Sequence, residues 1–454
     1  MLVKACSMPE IGGTVKHRKL RWLTTCAIVV AFGVQPAAGA DDGTEEPTPT
    51  LAHVVDSDHP MLKIGDKVPD ELISGSGAAR SAASPEWPEM PERGSVPYEV
   101  NLDDYTPEGV ARTQAQESAA ASPWDPLNEC RNQLAGGAGT GLIVKRFTYC
   151  SVKKQAFYWR DSNGTVVGTT SYVQTIAGQA PRDRREINYM VNLGYWDIDG
   201  HVRDIPFEVK GESLGLPWTE GTGGPGPACE VINSADNPKT LSAWRNNGAA
   251  VASIVFFQDK SKGEGRDYVN ECQISTLTQG IGYRDGVTPI RFDSASYVYG
   301  ESGGMFTVAS PTLVYNTTST SHGAVARHIQ LALTNPDLTD PRKTGKVIPG
   351  TSRAKPLTRL YEQWDANAQR WRNANIAQKN AACTPIKPAN ATGLDCDEFP
   401  FGSTWEGPAS LQYDFSVKYL DLAQNRSAGG SLAAFYARER ILHRDGFLVR
   451  IATS

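Results

Sequence analysis

Through residues 141–276 the apolar and polar positions follow a β pattern, short strand-like runs separated by turns and loops. Residues 141–150 and 155–159 read as paired strands, and Asp161-Ser162-Asn163-Gly164 supplies a hairpin turn. Residues 165–175, 186–195, 206–209, 252–257 and 268–276 continue the series between Gly- and Pro-rich loops. This spacing predicts an all-β, sandwich-like region of roughly eight strands over residues 126–305. Its aromatics Trp159, Tyr172, Tyr189, Tyr195 and Trp196 are expected in core and cross-strand packing, with a ligand platform as the alternative.

The pattern changes after residue 305. Residues 305–315 read as a strand entering a second domain, 306–454, and 316–323 as a polar turn. Residues 324–333 have helical spacing, with Val325, Ile329 and Leu331 or Leu333 on the apolar face and Asn335-Pro336 as the stop. His328 lies on this helix. Residues 357–381 predict a second helix that buries Leu360, Trp364 and Trp371.

Residues 41–125 show no sustained period and are rich in Pro, Ala, Ser and acids, which predicts a disordered acidic linker. Within it, Asp56, Asp58 and His59 read as solvated residues. Residues 1–40 read as an export signal: Lys16-His17-Arg18-Lys19 and Arg21, an apolar run over 23–34, then Ala38-Gly39-Ala40. That run is too short to span a bilayer, and no membrane span is predicted later.

Composition adds compartment and charge. Six of the eight cysteines follow the signal, an even number that implies disulfides in an exported chain. Pairing of sequence neighbours gives Cys130–Cys150, Cys229–Cys272 and Cys383–Cys396, one of the fifteen connectivities six cysteines allow. The net charge of -5 gives no whole-chain preference for a polyanion, so any nucleic-acid surface must be local. Arg342, Lys343, Lys346, Arg353, Lys355, Arg359, Arg370, Arg372 and Lys379 make residues 342–379 such a basic segment.

Asp395-Cys396-Asp397-Glu398 stands out chemically, followed by Phe399-Pro400-Phe401 and then Glu406-Gly407. Adjacent carboxylates repel unless a cation, a proton or a donor relieves them. The cluster therefore reads as a site for a hydrated divalent metal or for proton transfer, against an acidic surface turn.

With its surroundings, this motif resembles the NucA/NucB-type secreted bacterial deoxyribonucleases over residues 310–454. The resemblance rests on Ala326-Arg327-His328-Ile329-Gln330-Leu331-Ala332, Asp395 to Phe401, Glu406-Gly407, Asn425-Arg426-Ser427-Ala428-Gly429-Gly430-Ser431-Leu432, and Asp445 to Ile451, in that order. The chain departs from small members in carrying Cys396 in place of an arginine, and in its long β-rich N-terminal region.

The resemblance implies an α+β nuclease domain with a ββα-metal-type site. Residues 394–399 and 411–421 would be its strands, and 427–440 its helix, entered through Gly429-Gly430. Asp397, or else Glu398, would be the general base; for Asp397, crowding by Asp395 and Glu398 would raise its basicity. Asn425 would hold hydrated Mg²⁺ or Mn²⁺, with Glu406 orienting the site or adding a ligand. Arg426 would clamp a phosphate oxygen, and His328 would touch the phosphate or brace the carboxylates. Cys383–Cys396 would pin the loop before the signature. The expected protein is an exported, monomeric, metal-dependent endonuclease that cleaves DNA without sequence preference through phosphate contacts. The competing readings are a secreted binding or cell-surface module with an inactive nuclease-like domain, and a nuclease toxin.

Overall fold

The computed structural model describes residues 50–54, 62–68, 92–119, 127, 130, 132, 141–215, 229–232, 238–247, 250–256, 268–278 and 283–453. The expected signal, much of the expected linker and Asp56, Asp58 and His59 lie outside the described residues.

In chain order the first strands are β1 (Thr50–Val54), β2 (Val96–Asn101), β3 (Gly141–Lys145), β4 (Thr148–Arg160), β5 (Val166–Gln179), β6 (Glu186–Gly200), β7 (Pro206–Gly215), β8 (Cys229–Ile232) and β9 (Lys239–Thr240). They continue as β10 (Ala250–Phe256), β11 (Tyr268–Thr278), β12 (Tyr283–Ser294), β13 (Ser302–Phe306), β14 (Ala309–Asn316), β15 (Leu357–Thr358), β16 (Leu394–Phe399), β17 (Ser416–Asp421) and β18 (Gly446–Ala452). The helices are α1 (Pro107–Ala119), α2 (Leu241–Asn247), α3 (Gly323–Thr334), α4 (Ala366–Cys383) and α5 (Leu422–Arg438).

Two antiparallel sheets make the β-rich region. One runs β1-β4-β5-β6-β10-β8 with β3 beside β4, and the other β13-β12-β11-β7-β9. Trp159, Tyr172 and Tyr189 of the first sheet share one core with Phe207, Ile274 and Phe292 of the second. Three of the five aromatics are thus core residues. Tyr195 is exposed, and Trp196 leans on Tyr172 with ring centroids 4.8 Å apart. The β4–β5 hairpin turns at Asp161, whose Oδ1 accepts the amides of Asn163 and Thr165 at 2.9 Å.

A second core lies under the sheet β15-β18-β14-β2, in which β14 runs parallel to both β18 and β2. Leu313, Tyr315, Val325, Ile329, Phe399, Phe435 and Phe447 meet there. Strand β2, like β1 and α1, comes from the segment expected to lack structure. Val96, Tyr98 and Val100 alternate with exposed positions, and Leu102 and Tyr105 just beyond enter the C-terminal core. This apolar pair is too short a signal to outweigh the polar composition around it.

Two helix boundaries also differ from expectation. Leu357–Thr358 is a strand, and α4 starts only after Asp365, whose carboxylate accepts the Ala368 amide. Helix α5 starts at Leu422, capped by Asp421, and runs through Gly429 and Gly430 instead of turning at them. Burial of Ala428, Leu432 and Phe435 against the core outweighs the roughly 1 kcal/mol each glycine costs a helix.

The disulfides Cys130–Cys150 and Cys383–Cys396 are present. Cys272 is also disulfide-bonded, while the side chain of its expected partner Cys229 lies outside the described residues. No helix among the described residues is long and apolar enough to cross a membrane.

A buried ionic network joins the two regions. Arg291 donates to Asp293 at 3.0 Å and to both Asp445 oxygens at 2.9 and 2.8 Å. Arg440, fully buried, donates Nε to Asp293 at 2.9 Å and Nη1 to the carbonyls of Arg182 and Tyr299 at 2.7 Å. Arg146 reaches the carbonyls of Glu439 and Arg440 at 2.8 and 3.0 Å. Burial opposes charge on Asp445, but Arg291 and Arg146 outweigh it and hold the carboxyl below its usual range.

Nearby, His443 stacks on Trp364 (centroids 4.8 Å apart) and accepts the Tyr361 amide on Nδ1 at 3.1 Å. Burial, then the Arg444 charge, pushes the imidazole down to about 4. Between pH 6.5 and 4 the unfolded chain therefore binds the proton and the folded one does not. This stabilisation is complete above 6.5 and lost as pH falls towards 4. We expect His443→Gln to flatten this part of the stability–pH curve, measured by urea unfolding at stepped pH.

Candidate functional site

Strand β16 sorts the acidic motif onto two faces. Its period of two puts Asp395, Asp397 and Phe399 on one side and Cys396 and Glu398 on the other. Pairing with β17 sets Leu420, Lys418 and Ser416 opposite the first set, in that order.

On the first face, Asp397 Oδ2 meets His328 Nδ1 of α3 at 2.7 Å, and His328 Nε2 meets Ser416 Oγ at 2.7 Å. A carboxylate only accepts, so the tautomer that satisfies all three groups has Nδ1–H donating to Asp397 and Nε2 accepting the Ser416 hydroxyl. The chain Asp397–His328–Ser416 has the members of a hydrolytic triad, but Ser416 is wholly buried and cannot meet a substrate. His328 is buried too, with both nitrogens engaged. Of the two roles expected for it, this is the geometry of a brace, not of a phosphate contact. Asp397 Oδ1 has no hydrogen-bond partner among the described residues.

Beside it, Asp395 Oδ2 accepts Asn425 Nδ2 at 3.3 Å. The amide nitrogen thus faces Asp395, and a half-turn of the side-chain amide would bring the Asn425 carbonyl oxygen there instead. Arg426, the next residue of α5, is exposed and has no ion-pair partner among the described residues. Lys418, directly across from Asp397, is likewise exposed and unpaired there. Sequence reasoning missed Lys418 and Ser416, because only the strand register places them by the motif.

Glu398 faces the other way, against α4. Its Oε1 accepts the Gly402 amide at 3.0 Å, and Lys379 Nζ lies 3.6 Å from Oε2. Burial pushes its carboxyl up and the Asp397 charge adds to this, while Lys379, the Gly402 amide and Arg372 pull it back. Cys396, beside it on that face, is tied to Cys383 at the end of α4. The two base candidates are therefore in different environments, and only Asp397 lies with Asp395 and Asn425.

Glu406 is taken up by the fold. Its two oxygens accept the amide and the hydroxyl of Thr358, each at 2.7 Å, which anchors β15. Both oxygens thus already have a partner within the fold. We expect Glu406→Ala to lower unfolding stability by about 1–3 kcal/mol, the cost of orphaning buried donors. The metal concentration for half-maximal cleavage should not move.

The basic segment is partly consumed as well. Lys346 is buried on Thr339 Oγ1 (2.8 Å) and the Pro341 carbonyl (3.1 Å). Arg359 is buried among the rings of Tyr297, Tyr361 and Tyr436. Lys343 pairs with Asp414 at 2.6 Å. Lys355 and Arg370 remain exposed without ion pairs among the described residues.

No group of three or more His, Cys, Asp and Glu that could hold a metal occurs among the described residues. With the amide turned over, Asp395 and the Asn425 carbonyl would give an all-oxygen donor set beside Asp397. That chemistry fits a hard divalent cation that keeps most of its water.

The two-stranded ribbon β16–β17 leads directly into α5, with Asp395 and Asp397 on the strand and Asn425 on the helix. Residues 349–450 match the family model Deoxyribonuclease NucA/NucB. The C-terminal region thus carries a nuclease domain of this family, and α3 with His328 precedes the matched residues. No curated protein and no solved structure matches the chain.

Proposed function

We propose that the chain is an exported, metal-dependent endonuclease that hydrolyses DNA phosphodiester bonds with little sequence preference. Asp397 Oδ1 takes the proton of the attacking water, while the buried His328 N–H holds Oδ2 and fixes the carboxylate's orientation. Asp395 and the Asn425 carbonyl would hold Mg²⁺ or Mn²⁺. When bound, such an ion neutralises charge at the scissile phosphate and the leaving oxygen. Arg426 and Lys418 bind non-bridging phosphate oxygens from the helix and strand sides. The exposed Lys355 and Arg370 add contacts to the backbone, which carries no sequence information. Export is supported by the disulfides, which persist in oxidising compartments.

The observation that carries this reading is Asp397, fixed through one oxygen by a buried imidazole and open at the other, inside the DNase-family region. Linear duplex DNA and RNA incubated with the full chain, with and without EDTA, test it. We expect DNA ends at many unrelated sequences and none with EDTA. Cleavage that survives chelation, or ends confined to one sequence, would overturn the metal or the specificity part.

A further inference from the structure

A cavity of about 240 Å³ lies at the seam between the β-rich region and the C-terminal sheet, away from the acidic motif. Arg93, Arg146, Arg291 and Arg353 line it, with Asp445 as the single lining carboxylate. Both Asp445 oxygens are already held by Arg291, and Oδ2 also lies 3.7 Å from Arg146 Nη1. Arg93 pairs with Glu271, and Arg353 with the exposed Glu92 at 3.3 Å.

Arg146 is 4% exposed, and all its hydrogen bonds among the described residues are made by Nη1. Its Nε is buried with no partner. The Ser310 hydroxyl on the same wall also has no partner among the described residues. Burial, together with the neighbouring Arg291 charge, pushes Arg93 down to about 10, so the cations crowd one another.

We propose that this seam cavity binds a phosphate-class oxyanion, either free phosphate or the terminal phosphate of a small ester. Guanidinium forks match tetrahedral oxyanions, and four arginines line this cavity from separate segments of the chain, Arg291 with its fork already engaged by Asp293 and Asp445. The ligand would bridge residue 93 ahead of β2, Arg146 and Arg291 of the β-rich region, and Arg353 of the nuclease region. Its binding would tighten the seam. The volume is below the roughly 300–1,000 Å³ usual for drug-sized ligands, so the group is small.

The test is thermal unfolding of the full chain in EDTA, titrated with inorganic phosphate or with a nucleoside 5′-monophosphate, and with NaCl at matched ionic strength. We expect a saturable rise in melting temperature with phosphate and none with chloride. A tighter midpoint for the monophosphate would assign the ester as ligand, and equal or weaker binding would assign free phosphate. Arg353→Ser, an exposed position, should weaken the phosphate midpoint at least tenfold. Ser310→Asp, which adds a carboxylate to the wall and removes no ion pair, should abolish the response. Lys418→Ser with Arg426→Ser should leave it intact, separating this cavity from the proposed catalytic face. An equal rise with chloride, or a response lost with Lys418 and Arg426 but kept in Arg353→Ser and Ser310→Asp, would overturn the proposal.

Discussion

Asp397→Asn is expected to slow single-turnover DNA cleavage by about 10²–10⁴-fold, the usual contribution of a general base. The amide oxygen can still accept from His328, so the melting temperature should move little. What is lost is the open oxygen's capacity to take a proton. Glu398→Gln should have a smaller effect, because Glu398 lies on the opposite face with Lys379 and the Gly402 amide. If Asp397→Asn leaves a folded and fully active enzyme while Glu398→Gln abolishes cleavage, the base has been misassigned between the two.

The second large effect concerns stability and lies far from the site. Asp293→Ala removes the carboxylate that both Arg291 and Arg440 bond, leaving two buried guanidiniums short of an acceptor. Breaking a buried ion pair in this way costs about 3–5 kcal/mol. We expect that loss in the urea midpoint of the full chain, and insoluble or unfolded protein from residues 306–454 expressed alone. A loss under about 1 kcal/mol, the level of an exposed pair, would mean the two regions do not depend on this network.

Much of the β-rich region was legible because short β-branched and aromatic runs and the Asp161–Gly164 turn are local signals. The acidic motif was legible as chemistry, since four carboxylates and a glycine turn in so short a stretch need an explanation. Which carboxylate faces which partner was not. That depends on strand register, and register places Lys418 and Ser416 by the motif from positions with no distinguishing sequence. The bond from Glu406 to Thr358 spans 48 positions and could not be read from the sequence. The strand at 96–101 was lost in a polar stretch, and the start of α5 was misplaced because glycine propensity is weaker than the burial that opposes it. The ionic seam is wholly tertiary; Arg146 alone reaches across 293 positions to the Glu439 carbonyl.

The most direct measurement is digestion of supercoiled plasmid by the folded full chain in Mg²⁺ or Mn²⁺. Steady conversion to nicked, linear and then fragmented DNA is the result predicted here. Intact plasmid in both metals, with the protein shown to be folded and its disulfides formed, would contradict it.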